Sequence, residues 1–252
     1  LQANTTGASN TSVGMSALYS NTTANNNTAV GYYAMLNNTT GTQNTAVGQG
    51  ALQSNTTNSY STAVGSQALY SNTGERNTAV GTNAMLNNTT GASNTAVGQA
   101  ALPSNTTGNS NVAIGYQTLN ASTTGIQNTC VGTSVGASLT TGSGNTFVGN
   151  SNNVTAACGG LITTGSRNTI IGNFDGNQGG LDIRTSSNNI VLSDGDGNWR
   201  CRFSSSGSMI VPQVYNDTTA AAANVQVDSG GVFRRSTSSL RYKNTINNAT
   251  HG

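Results

Sequence analysis

A five-residue phrase, Asn-Thr-Ala-Val-Gly, recurs through the first two thirds of this 252-residue chain. It stands at Asn27–Gly31, Asn44–Gly48, Asn77–Gly81 and Asn94–Gly98, and looser copies end at Gly14, Gly65, Gly115, Gly132, Gly149 and Gly172. The closing glycines are 17 residues apart, with one step of 16 and a last step of 23. A fixed period over most of a chain means a solenoid or array, in which each unit buries its apolar face on its neighbours.

Read in columns from each glycine, the phrase has the marks of a strand. One residue before it stand Val13, Val30, Val47, Val64, Val80, Val97, Ile114, Val131, Val148 and Ile171; three before it is nearly always Thr. β-Branched residues favour strand, and side chains alternate between faces with period two. These two columns therefore share one face, which is expected to be the interior. Between them runs the opposite face, Ala29, Ala46, Ala63, Ala79, Ala96 and Ala113, enlarging to Cys130, Phe147 and Ile170. An apolar stripe left on the outside marks an interface, so this alanine face is expected to join chains side by side. Four after each glycine stand Leu18, Met35, Leu52, Leu69, Met85, Leu102 and Leu119, forming a second short strand or a tight apolar corner. Asn-Thr-Thr-Gly, as at Asn38–Gly41 and Asn88–Gly91, then turns the chain, its Asn and Gly supplying positive φ. Coils would stack in parallel about 4.8 Å apart, with Asn10, Asn27, Asn44, Asn77 and Asn94 aligned as an amide ladder that holds register in place of charge.

The fold class is thus all-β: a parallel β-roll or β-solenoid of about ten coils over residues 1–193, regular over 1–149 and irregular over 150–193, followed by a β-rich stalk over 194–237. Asn189–Ser193 reads as a last degenerate rung. Asp194-Gly195-Asp196-Gly197-Asn198 reads as a hairpin turn. Its clustered oxygens also suit a hard cation, but no distal Glu completes a loop.

Composition narrows the function. Charged residues are 6% of the chain, and between Leu1 and Ser166 the only ones are Glu75 and Arg76. The apolar 34% falls in strict columns, which argues for order rather than disorder. With a net charge of +2 and Lys243 as the only lysine, there is no basic patch for nucleic acid. No run of about twenty apolar residues would span a membrane. Nothing calls for a cofactor or a metal. Cys130, Cys158 and Cys201 are an odd number without metal-ligand spacing and read as reduced structural thiols. Frequent Asn-x-Thr/Ser triplets are by-products of the repeat. The chain begins inside a repeat, so a preceding segment is expected.

A glycan-cleaving enzyme needs paired carboxylates; the candidates, Asp175, Asp182, Asp194 and Asp196, all lie near glycine turns. His251 has no triad partners and reads as a tail residue. Tyr32 and Tyr116 share one column, and Tyr19 and Tyr70 another; exposed, they would stack on sugars, though ordinary surface aromatics fit as well.

Two stretches resemble known families. Over roughly residues 1–172, the Asn-Thr-Ala-Val-Gly units, with Asn111-Val112-Ala113-Ile114-Gly115 the nearest copy, resemble the head repeats of YadA-like trimeric adhesins, whose repeat is usually shorter. That resemblance implies a left-handed roll and a homotrimer. Ser236-Thr237-Ser238-Ser239-Leu240-Arg241-Tyr242-Lys243-Asn244-Thr245-Ile246 resembles the opening of the endosialidase-type intramolecular chaperone domain, which follows many phage tail fibres and tailspikes. It makes 238–252 the first residues of such a domain. The resemblance implies self-cleavage of the precursor between Ser238 and Ser239, with Ser238 as nucleophile and Lys243 as its base; Ser239 stands where many relatives have Asp.

Together these imply a trimeric tail fibre or spike on a phage-like virion, assembled in the host cytoplasm and partnered by itself, by other virion tail proteins and by a host-surface receptor, a glycan among the candidates. No substrate-directed enzyme activity is expected. The alternative is the head of a bacterial trimeric surface adhesin, which would add a signal peptide and a membrane-anchoring barrel.

Overall fold

The computed structural model describes residues 1–150 and 157–211, and beyond them two strands at 225–227 and 233–235. The phrase at each repeat forms a three-residue strand: β1 (Thr11–Val13), β2 (Thr28–Val30), β3 (Thr45–Val47), β4 (Thr62–Val64), β5 (Thr78–Val80), β6 (Thr95–Val97), β7 (Val112–Ile114), β8 (Thr129–Val131), β9 (Thr146–Val148) and β10 (Thr169–Ile171). Each pairs in parallel with the next, like residue on like: Thr28 on Thr45, Ala29 on Ala46, Val30 on Val47. The two stretched coils keep the same alignment, Thr146 on Thr169 and Thr169 on Ile190. The last rung is β13 (Ile190–Ser193), and the chain is an all-β parallel solenoid of about ten turns. No helix occurs among the described residues, so none there is long and apolar enough to cross a membrane.

Which face looks inward is the reverse of the sequence expectation. Ala29, Ala46, Ala63, Ala79, Ala96, Ala113, Cys130, Phe147 and Ile170 are fully buried. The valine column faces out: Val80 is 36% exposed and Val13 56%, while Val30, Val97 and Val131 are half-buried, as is the Thr column beside them from Thr28 onward. The reason is volume. The coil is narrow, and opposite the inward alanine stand the equally buried Leu18, Met35, Leu52, Leu69, Met85, Leu102 and Leu119 with their small neighbours Ala17, Ala34, Ala51 and Ala68. One large and two small side chains fill each rung at close packing; two large ones would overfill it.

The leucine position is a tight corner, not a strand. Leu and Met there adopt left-handed backbone, φ 47–53°, as at Met35 (φ 48) and Leu119 (φ 53). That conformation costs roughly 1–2 kcal/mol for a residue with a Cβ; full burial of the side chain, worth about 1.5–3 kcal/mol, offsets it. In the Asn-Thr-Thr-Gly turn neither Asn38 nor Gly41 takes positive φ. Gly41 is required by close approach instead, since a Cβ there would lie 2.4 Å from the Asn58 carbonyl oxygen. The closing glycines combine both demands: Gly98 has φ 134°, and its Cβ would lie 2.4 Å from the Gly115 carbonyl oxygen.

Two columns of buried asparagine tie the coils together. In the first, each Oδ1 accepts the backbone N–H of the corresponding residue one coil on: Asn10 from Asn27, Asn27 from Asn44, Asn94 from Asn111, at 2.9 Å. Each Nδ2 reaches forward to a turn carbonyl, as Asn94 does to Gly108 at 2.8 Å. The expected ladder is present, and it joins amide to backbone. The second column, Asn4, Asn21, Asn38, Asn55, Asn72, Asn88 and Asn105, opens the turn segments. Its amides bond to one another in two runs, Asn4 to Asn55 and Asn72 to Asn105, as in Asn38 Nδ2 to Asn21 Oδ1 at 3.1 Å and Asn105 Nδ2 to Asn88 Oδ1 at 2.6 Å. Most of these buried amide groups have partners, which is what makes them tolerable; Asn55 Oδ1 and Asn105 Oδ1 are the exceptions.

The repeat then loosens. β11 (Asn177–Gln178) and β12 (Leu181–Asp182) form a small hairpin inside the last long coil. After β13 the chain reverses into β14 (Trp199–Phe203), which pairs antiparallel with it, and the sheet order ends with β14 and β15 (Met209–Ile210). The first compact unit spans Leu1–Met209. In the second, β16 (Val225–Val227) and β17 (Phe233–Arg235) pair antiparallel. Arg202, on β14, donates through Nη2 (2.9 Å) and Nε (3.3 Å) to Asn189 Oδ1. Asn189 ends the first ladder, so the guanidinium takes the place of the N–H that a further coil would supply.

Candidate functional site

Ser238 and Lys243, with Arg241 and His251, lie outside the described residues. The remaining candidates can be placed.

Asp175, Asp182 and Asp194 have carboxylates engaged by the protein itself. Asp182 takes both Nε (3.0 Å) and Nη2 (2.8 Å) of Arg184, and this pairing pulls its pKa down to about 2. Asp194 is held by Arg200, and its Oδ1 accepts the backbone N–H of Asp196 and Asn198. Burial works to raise its pKa, but Arg200 and Asn198 outweigh it and the net shift is downward. The Asp194–Asn198 segment closes the β13–β14 hairpin, Asp194 N–H donating to the Asn198 carbonyl at 3.1 Å. Asp175 accepts the Asn177 N–H at 2.7 Å. Asp182 and Asp194, ion-paired and with depressed pKa values, are poor proton donors, whereas a glycosidase acid must donate readily. Among the described residues no three His, Cys, Asp or Glu side chains converge on a point that would hold a metal.

All three cysteines are free thiols. Cys130 and Cys158 are buried in the core. Burial, with the neighbouring Cys158, raises Cys130 well above the ordinary thiol range, and burial raises Cys158 to about 12. Thiols held protonated in this way are unreactive.

Two surfaces remain. The first is the outward strand face. Val13, Val47, Val64, Val80, Ile114, Val148, Ile171 and Leu192 are all more than a third exposed, in one register-matched column beside the Thr column. The face carries no charged residue from β1 to β10. A contiguous, β-branched, uncharged face of this length is unusual for a surface that meets only water. The second is the tyrosine-bearing corner that follows the strands. Tyr32 and Tyr33 stack with ring centroids 3.8 Å apart and 26° between planes. Tyr19 and Tyr32 are exposed, and the Tyr70 hydroxyl accepts from Gln53 Nε2 at 3.3 Å. On another corner the Arg76 guanidinium lies over the Tyr60 ring, 5.7 Å from its centroid. Comparison with known protein families, with curated proteins and with solved structures gives no match.

Proposed function

We propose that this chain is a structural fibre or spike protein of a phage or phage-like particle, three identical chains joined along their strand faces and exposed on the virion to attach it to a host surface. The observation that carries the reading is the outward Thr and Val face. The sequence reading assigned chain-to-chain contact to the alanine face; that face is the core, and the valine face takes over the role. Its β-branched side chains repeat in register on every rung, so a copy set against it in parallel meets the same surface at the same spacing. Hydrophobic burial at roughly 25 cal/mol per Å² would then act on all rungs together.

The resemblance of Ser236–Ile246 to the chaperone opening supports the viral setting and a maturation step. A serine hydroxyl needs a base, and a lysine supplies one when its environment lowers its pKa. In the precursor, Lys243 would take the Ser238 Oγ proton as Oγ forms an ester at the carbonyl carbon of the Ser238–Ser239 bond, and would pass it to the Ser239 amine as the C–N bond breaks; water would then hydrolyse the ester to leave a chain ending at Ser238. The near absence of charge suits a stiff rod held by hydrogen-bonded ladders. Its partners would be two further copies, other tail proteins of the particle, and a receptor on the host surface.

The test is expression of the full-length gene beside its Ser238→Ala form, with mass spectrometry and sedimentation velocity. The expected product is a trimer of a chain ending at Ser238, three times the mature chain mass, and an uncut chain in the variant. A folded monomer, or cleavage unaffected by Ser238→Ala, would overturn the reading. A gene that continues into a membrane-anchoring barrel would make the chain an adhesin head instead.

A further inference from the structure

We infer that the corner carrying Tyr32, Tyr33 and Tyr70 is a binding platform for an uncharged glycan. This names the receptor class for the attachment role proposed above and rests on that reading.

Tyr32 and Tyr33 are consecutive, yet their rings stack, because Tyr33 takes left-handed backbone (φ 61) at the corner. The pair is fixed by the fold before any ligand arrives, so little side-chain freedom is lost on binding. One face of Tyr32 is covered by Tyr33, and Tyr32 remains exposed.

One rung further on, Gly50 occupies the column of Tyr33. Gly50 is left-handed (φ 63), but so are Tyr33 and Gln67 on either side of it in the column, so the backbone does not require glycine there. What glycine provides is open space. A Cβ at Gly50 would stand 3.5 Å from the Tyr70 ring and 3.2 Å from Gln53 Oε1, so a side chain there would crowd both. The result is a shallow seat beside the Tyr70 ring and the Gln53 side chain, one rung on from Tyr33 in the same column.

The chemistry of the seat selects its occupant. Aromatic faces are electron-rich and attract the positive C–H edge of a saturated ring. The surrounding groups are hydroxyls and amides, which suit a polyol. No Asp, Glu, Lys, Arg or His precedes Glu75 in the sequence. A nucleic acid also stacks bases on tyrosine, but its phosphates need cations that this corner lacks. A sialylated or phosphorylated glycan faces the same objection. The ligand that fits is a neutral hexose or N-acetylhexosamine chain.

The experiment uses the full chain and three probes, maltohexaose, cellohexaose and chitohexaose, with a sialic acid hexamer as the charged comparison. Binding is read by saturation-transfer NMR and titration calorimetry for wild type, Tyr32→Ala/Tyr33→Ala and Tyr60→Ala. At least one neutral probe should bind, the double variant should lose at least tenfold in affinity, and Tyr60→Ala should match wild type. Gly50→Gln, which fills the seat and leaves the tyrosines in place, should also lose binding. The inference is overturned if no neutral probe binds at millimolar concentration, if the sialic acid hexamer binds more tightly than all three, or if the double variant binds as wild type does. Sedimentation of the same samples separates the two readings: a monomer that binds a neutral glycan would remove the trimeric fibre and leave the platform standing.

Discussion

In the coils closed by Gly31 to Gly115 the interior is one alanine from the strand, one leucine or methionine from the corner, and two buried ladder columns, asparagine at most rungs. In the coils closed by Gly132 and Gly149 the alanine has become Cys130 and Phe147, the leucine has become Gly136 and Gly159, and the second asparagine has become Leu139 and Ile162. The exchanges balance. A Cβ at Gly159 would lie 2.6 Å from the Phe147 ring, so the phenyl group occupies the space that leucine fills elsewhere. Rung volume is held while the side chain supplying it changes column, as close packing requires. The second polar ladder is not held, while the first runs on through Asn128, Asn145 and Asn168 to Asn189. Where apolar bulk is small, two amide columns fix register by hydrogen bonds; where the larger Phe147, Leu139 and Ile162 enter, one amide column remains and packing takes the place of the other.

The largest expected effect separates adjacent residues of one strand. Ala79→Asp places a carboxylate in a fully buried position without a partner, at a cost of more than ~4 kcal/mol. Val80→Asp points the same charge outward, and in the isolated chain it should leave the melting temperature within a few degrees. Because burial raises the pKa of the introduced carboxyl, the Ala79→Asp defect should worsen as pH rises and ease as it falls toward 4. Thermal melts at pH 4 and pH 7 check both. Equal loss from the two variants would mean that the strand faces are not distinguished. In the proposed trimer Val80→Asp has a separate consequence, loss of assembly with the coil intact, read by sedimentation.

The second contrast concerns the exchange of volume. Phe147→Ala should cost about 3–5 kcal/mol, the range for emptying a buried aromatic site. Restoring the leucine in the same coil, as Phe147→Ala/Gly159→Leu, should recover at least half of that loss, since left-handed leucine is already the norm at this column. Denaturant unfolding of both variants and of Gly159→Leu alone completes the cycle. If the double variant is no better than Phe147→Ala, the two sites do not trade volume.

This exchange also shows what could be read from the chain. The period, the strand positions, the last rung at Ile190–Ser193 and the first asparagine ladder were legible, because a 17-residue repeat places like residues side by side whatever their facing. The facing was not legible from the strand alone. Thr-Ala-Val presents a substantial apolar or β-branched residue on either face, and ranking residues by hydrophobicity favoured valine over alanine. The deciding signal was non-local: where Ala becomes Phe147, Leu becomes Gly159, and only a shared interior links the two. The second asparagine column was hidden because Asn-Thr-Thr-Gly also satisfies the rules for a turn. The tyrosine corner was visible only as columns; the Tyr32–Tyr33 stack depends on the left-handed backbone at Tyr33.

The smallest effects test where the ladder gives way to packing. Asn94 sits mid-ladder: its Oδ1 takes the Asn111 N–H and its Nδ2 serves the Gly108 carbonyl. Asn94→Leu strands both backbone groups in the interior, and at about 1–3 kcal/mol for each unmet group the loss should be roughly 2–4 kcal/mol. Ser122 is the next residue after Asn105 in the second ladder, and it is too short to continue it. Its buried Oγ and the Asn105 Oδ1 have no partner. The following residue in that column is Leu139, fully buried. Ser122→Leu removes an unmet hydroxyl and starts the apolar column one coil earlier. It should therefore change stability by less than ~1 kcal/mol, or raise it, since removing a buried polar group that has no partner relieves a desolvation cost. Denaturant midpoints at a common slope measure the pair. If Ser122→Leu is as damaging as Asn94→Leu, then Ser122 holds a hydrogen bond in solution, and the ladder extends one coil beyond Asn105.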